Sequence, residues 1–90
     1  MTETNDSQIM MYSTEWCPDC RRAKGIFKRL KVDFTEIDVD KDKEGYQVVV
    51  DHNNGKRIVP TIFFPDGSVL VEPSNQDLID KVAELGLSNK

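Results

Sequence analysis

Cysteine and histidine are scarce in this chain of 90 residues, which holds two Cys and one His. A structural zinc site takes four ligands of such types, so one chain alone cannot supply one, and no metal is expected. Long apolar runs are missing too, and with them any segment of the roughly 20 residues that crosses a bilayer as a helix. Nor is there an excess of positive charge. Twelve Lys and Arg stand against 16 Asp and Glu, a net charge of −4, the wrong sign for a nucleic-acid partner. Repeats, low-complexity tracts and linkers are absent. Residues 1–8 are polar and acidic and lack the basic-then-apolar layout of a secretory signal. They read as a disordered lead-in to a single domain over 9–90, and cytoplasmic residence is the expectation. What remains, 38% hydrophobic and 31% charged residues, suits a globular protein with one modest core.

Both cysteines lie in one stretch, Thr14-Glu15-Trp16-Cys17-Pro18-Asp19-Cys20-Arg21-Arg22. A strand-like run, Ile9-Met10-Met11-Tyr12, precedes it and a helix-like run from Arg22 to Leu30 follows. A Cys-x-x-Cys between strand and helix is a redox arrangement. With Cys17 at the helix N-terminus, unpaired backbone N–H groups and the helix dipole favour its thiolate. Only a thiolate attacks a disulfide, so Cys17 is the expected nucleophile, with Cys20 one turn in as the resolving thiol. Pro18 suits the first helical position, which needs no N–H. A purely structural disulfide is disfavoured, because closing so short a loop restrains the unfolded chain very little. A metal or cluster bridging two chains through Cys17 is the remaining non-redox reading.

Along the chain, Ile9 to Ser13 reads as a first strand. Cys17 or Pro18 to about Leu30 reads as a helix, with Ala23, Ile26, Phe27 and Leu30 on one face. Gly25 weakens that helix unless a neighbouring backbone packs there. Phe34 to Val39 alternates as a second strand. Asp40 to Glu44 can cap a helix carrying Tyr46, Val49 and Val50 inward and ending at Asn53-Asn54-Gly55, although Val48-Val49-Val50 would suit a strand equally. A helix is chosen because parallel neighbours need a crossover. Ile58 to Phe64 and Ser68 to Val71 flank Pro65-Asp66-Gly67 as a hairpin. Ser74 then caps a helix bearing Leu78, Ile79, Val82, Ala83 and Leu85, which stops near Gly86. The order is β-α-β-α-β-β-α. Phe27, Phe34, Phe63 and Phe64 read as core. The basic residues after the cysteines (Arg21, Arg22, Lys24, Lys28, Arg29, Lys31) read as a solvated face, with attraction of an anionic thiol as the alternative. Arg57 reads as a solvated loop charge, with a substrate carboxylate as its alternative partner, and His52 takes no role.

With Trp16-Cys17-Pro18-Asp19-Cys20 near the start and Ile58-Val59-Pro60 before the third strand, the chain resembles the thioredoxin superfamily. Within it, the likeness is to glutaredoxins, especially short bacterial mycoredoxin-type proteins, and covers Ile9 to Leu87. The resemblance implies an α/β thioredoxin fold, a four-stranded mixed sheet flanked by three helices. It also implies a cis Val59–Pro60 peptide beside the active-site sulfurs and a Val59 backbone that pairs with substrate. Trp16 and Pro18 would border the site, and Ser74 and Asn75 would present a helix N-terminus to a substrate carboxylate. Ser74 and Asn75 read equally well as plain helix caps. Three positions depart from the glutathione-using pattern. Thr14 stands where a lysine is usual, Asp19 replaces an aromatic and opposes a thiolate at Cys17, and Glu72-Pro73-Ser74-Asn75 replaces a glycine pair.

The function expected is therefore reduction of mixed or protein disulfides by a small, monomeric thiol–disulfide oxidoreductase. It would hold no tightly bound cofactor and use a low-molecular-weight thiol, glutathione or mycothiol, as co-substrate. The alternative is a redoxin recharged by a flavoprotein reductase of the thioredoxin-reductase type and serving, for example, a ribonucleotide reductase. An iron–sulfur cluster shared by two chains is the rival from outside catalysis, and a brown colour in anaerobically purified protein distinguishes it.

Overall fold

The computed structural model describes residues 9–87; the expected lead-in over 1–8 lies outside them. Strand β1 covers Ile9–Ser13, helix α1 Pro18–Arg29, β2 Phe34–Asp38, α2 Lys43–His52, β3 Thr61–Phe63, β4 Val69–Val71 and α3 Asn75–Leu85. The strands form one mixed sheet in the order β2-β1-β3-β4. β1 runs parallel to β2, pairing Ile9 with Phe34 and Ser13 with Asp38, as a helical crossover demands. It runs antiparallel to β3 through Met10–Phe63 and Tyr12–Thr61, and β3 pairs with β4 around the Pro65-Asp66-Gly67 turn.

The two-residue period of the strands divides the core into two layers. Ile9 and Met11 of β1, with Ile62, point to the side that holds Ala23, Ile26 and Phe27 of α1 and Leu78 and Val82 of α3. Tyr12, with Met10 and Phe63, points to the other side, where Val49 of α2 and Val39 close a smaller cluster. The Val48-Val49-Val50 run is helical, for its N-cap Asp42 accepts a hydrogen bond from the Gly45 N–H. Local capping and the crossover outweigh the β-branched preference.

Several boundaries differ from the sequence reading. Tyr46 is exposed, and it is Gly45 that faces inward; a Cβ there would sit 2.7 Å from Ile37 Cγ2. The glycine thus lets α2 lie close against the sheet. Ile58 and Val59 fall outside β3, because the loop before Pro60 is folded onto itself by a Thr61 Oγ1 hydrogen bond to the Ile58 carbonyl at 2.7 Å. Ile79 and Ala83 are exposed on α3, leaving Leu78 and Val82 as its buried stripe. Val39 is buried just beyond the end of β2, and Phe34 and Phe63 are only partly buried. Gly25 has open space where a side chain would go, so no close packing accounts for it. Helix α3 ends as expected on Gly86, at φ 64°.

Candidate active site

β1 delivers the chain to Thr14 at the carboxyl end of a central strand, and α1 begins four residues later at Pro18. Cys17 is the N-cap of that helix, with extended φ and ψ of −83° and 110°. Its Sγ accepts a hydrogen bond from the Cys20 backbone N–H at 3.1 Å. The sulfur therefore does what a Ser or Asp oxygen does at other helix starts, satisfying one of the N–H groups that a first turn leaves open. Both cysteines are free thiols and both are buried, Cys20 completely.

The two thiols have unequal surroundings. Burial pushes the Cys20 thiol up to about 12, and a hydrogen bond with Cys17 and the charges of Cys17 and Asp19 add to this. A backbone hydrogen bond from Thr14 opposes the shift without cancelling it. Cys20 is thus held as a thiol at neutral pH. Thr14 is itself buried, and its hydroxyl has no hydrogen-bond partner among the described residues.

Asp19, in the first turn of α1, is paired with Arg22. Its Oδ1 accepts from Arg22 Nε at 2.9 Å and from Arg22 NH2 at 2.7 Å. The same guanidinium donates to the Pro73 carbonyl at 2.7 Å and to Asn75 Oδ1 at 2.6 Å, joining α1 to the turn before α3. Asn75 is therefore already engaged, and Ser74 completes a capping box in which its Oγ accepts from the Asp77 N–H at 3.0 Å. These residues border an open cleft with Asp19, Arg22, Glu72, Pro73 and Gln76. Glu72, where the resemblance expected glycine, takes a left-handed φ of 50° and donates its N–H to the Pro60 carbonyl at 2.9 Å.

On the other side of Cys17, Trp16 is 58% exposed. Its Nε1–H donates to Asp40 Oδ2 at 3.0 Å, and the Arg57 guanidinium lies over its ring at 5.4 Å. Arg57 is thus an exposed loop charge, as expected, but one that also meets Asp40 and Trp16. The Val59–Pro60 peptide is cis, Pro60 is buried, and Val59 packs against the core cluster that contains Cys17 and Cys20. Asn53 at the end of α2 donates to Thr61 Oγ1 at 3.3 Å, tying the helix to this loop. Sequence reasoning missed Arg22, Asp40, Asn53 and Thr61. The Asp19–Arg22 pair has the i,i+3 spacing of helix neighbours and could have been found, whereas Pro73, Asn75 and the partners of the other three lie at no fixed spacing.

A mixed sheet that presents a Cys-x-x-Cys at the start of its first helix and a cis proline before its third strand belongs to the thioredoxin-fold redox proteins. The family profile described as glutaredoxin matches residues 9–70. The chain is a member of the glutaredoxin family, and with it of the thiol–disulfide oxidoreductases. Mycoredoxin 1 of Corynebacterium glutamicum is 38% identical over 80 residues, covering 88% of this chain and 98% of the relative. A glutaredoxin of Pseudomonas aeruginosa is 36% identical over 61 residues, 68% of this chain and 71% of that one. Among solved structures, a mutant of the thioredoxin-like protein BC3987 superposes with a TM-score of 0.70 at 26% identity, covering 90% of this chain and 96% of the other. A glutaredoxin from Archaeoglobus fulgidus gives 0.66 at 27% identity, over 82% and 84%. No described helix is long and apolar enough to cross a membrane.

Proposed function

We propose that the chain reduces mixed and protein disulfides with Cys17 as nucleophile and Cys20 as resolving thiol. The observation that carries this reading is the asymmetry of the pair. Cys17 Sγ sits at the helix start and accepts the Cys20 N–H at 3.1 Å, whereas the Cys20 thiol is buried and pushed up to about 12. In the first step the Cys17 thiolate attacks one sulfur of the substrate disulfide. An S–S bond forms at Cys17, the substrate S–S bond breaks, and the departing thiolate takes a proton from solvent. Where the adduct on Cys17 is a small thiol, a second small thiol attacks its outer sulfur, forms the small-thiol disulfide and releases the Cys17 thiolate. Alternatively Cys20 gives its proton to solvent, attacks Cys17 Sγ and expels the adduct, leaving a Cys17–Cys20 disulfide. Two electrons from two small thiols or from a flavoprotein reductase reopen it. Once Cys17 is in an adduct, its charge no longer raises Cys20, so the resolving thiol ionises more easily then than in the free protein.

Mycothiol is the favoured small thiol, because Thr14 lacks the lysine charge usual at a glutathione site and the relative at 38% identity is a mycoredoxin. Trp16 and Pro18 flank the nucleophile, and Val59 and Pro60 offer the backbone edge for an extended disulfide. Ser74 and Asn75 take part only by exchanging the internal bonds they already make. A flavoprotein reductase of the thioredoxin-reductase type is the second donor to examine. The protein is taken to work as a cytoplasmic monomer. Steady-state reduction of a mixed disulfide, recharged by glutathione, by mycothiol or by a thioredoxin reductase alone, separates the donors. Cys17→Ser abolishes turnover in every system, while Cys20→Ser keeps it with a small thiol. Activity surviving Cys17→Ser overturns the assignment.

A further inference from the structure

Each side of the Cys17 corner carries a basic side chain, and each meets a carboxylate of the same chain. Arg22 rests on Asp19 at 2.7 Å, Lys41 on Glu15 at 2.8 Å and Arg57 on Asp40 at 3.3 Å. Of the three carboxylates, Asp40 is the one that meets both a guanidinium and the indole beside Cys17. One oxygen faces Arg57 and the other accepts from Trp16 Nε1 at 3.0 Å. Its backbone N–H donates to Asp38 Oδ1 at 2.9 Å, and the neighbouring Val39 N–H donates to the Ser13 carbonyl at 2.9 Å. The loop after β2 is thereby fastened to the end of β1, next to the cysteines. Arg57 completes the triangle by lying over the Trp16 ring at 5.4 Å.

We infer that Asp40 is a specificity-determining residue, an internal carboxylate that keeps Arg57 occupied and so selects against thiols bearing carboxylates of their own. The inference rests on the proposed oxidoreductase site and concerns which disulfides that site accepts. A carboxylate-bearing adduct at Cys17 has to share Arg57 with Asp40, whose charge already offsets it, and so brings two like charges together beside Trp16. An uncharged thiol meets neither cost. The pair is partly exposed, with side chains 32% and 41% accessible, so the discrimination is fewfold rather than absolute.

The test is equilibrium binding of S-methylglutathione and of its dimethyl ester, followed by the fluorescence of the single tryptophan. Removing the charge with Asp40→Asn raises the affinity ratio of tripeptide to ester about fivefold. Asn keeps an acceptor for Trp16 Nε1, and Asp40→Ser repeats the test without an amide. Arg57→Gln in the parent moves the ratio little, because the guanidinium is already taken, but in the Asp40→Asn background it cancels the gain. A ratio unchanged in both Asp40 variants, or a gain that survives Arg57→Gln, overturns the inference. Tripeptide binding absent from parent and variants alike overturns it too. Failure of the oxidoreductase reading shows elsewhere, in turnover that survives Cys17→Ser.

Discussion

Arg22 and Asn75 stand 53 residues apart in sequence and 2.6 Å apart in space, the guanidinium donating to the amide oxygen. Through this contact, and through the Pro73 carbonyl and Asp19, one side chain connects the helix that starts at the cysteines with the turn before α3. The arrangement needs a planar fork with several donors, which lysine lacks. Arg22→Ala is expected to cost about 1–2 kcal/mol in urea unfolding, held to that range because the side chain is about a third exposed. Arg22→Lys recovers less than half. A loss under about 0.3 kcal/mol for the alanine variant would show the contacts to be energetically idle.

The two helical glycines of α1 and α2 are expected to respond in opposite directions. Gly25 is exposed with open space around it, so Gly25→Ala stabilises by about 0.5–1 kcal/mol through helix propensity and a less flexible unfolded chain. At Gly45 the added Cβ meets Ile37 Cγ2, and Gly45→Ala destabilises by about 1–3 kcal/mol as α2 shifts from the sheet. Thermal melts of the two variants beside the parent decide both; equal shifts of one sign contradict the packing described.

Thr14 buries a hydroxyl with no partner among the described residues. Valine has nearly the same shape without the polar atom, and an unsatisfied buried hydroxyl is costly. Thr14→Val is therefore expected to raise stability by about 1 kcal/mol, read from the urea midpoint at unchanged slope. A lower midpoint would mean that the hydroxyl has found a partner, such as ordered water.

Cys20 makes the stability of the reduced protein depend on alkaline pH. Its thiol is raised in the folded state from an ordinary 9.0 to about 12. Below pH 9 it is protonated both folded and unfolded, and the stability linked to it is fully present. As pH rises from 9 towards 12, the unfolded chain releases the proton while the folded one retains it, so stability falls. The difference between the reduced parent and Cys20→Ser should shrink by about 2 kcal/mol between pH 8.5 and 10.5. Urea unfolding under reductant at the two pH values measures it, and a constant difference would place Cys20 in ordinary surroundings.

Much of the molecule was readable from local chemistry. The seven elements follow from side-chain period, from Pro-Asp-Gly at the hairpin and from caps at Asp42 and Ser74. Such signals act within a few residues, where spacing alone brings partners together. The proximity of Cys17 and Cys20, the candidate pair, was legible for the same reason, since they are one helical turn apart and the Cys20 N–H meets the Cys17 sulfur. Tertiary structure decided what depends on distant partners. It turned Tyr46 outward and Gly45 inward, because the register of α2 is set by its fit against Ile37 and Tyr12 rather than by its own pattern. It also brought Arg22 to Pro73 and Asn75 and Arg57 to Asp40, giving charges that look solvated in the sequence partners far along the chain. A charge reaches whatever the fold brings within a few ångströms, and nothing in its own neighbourhood along the chain records which partner that will be.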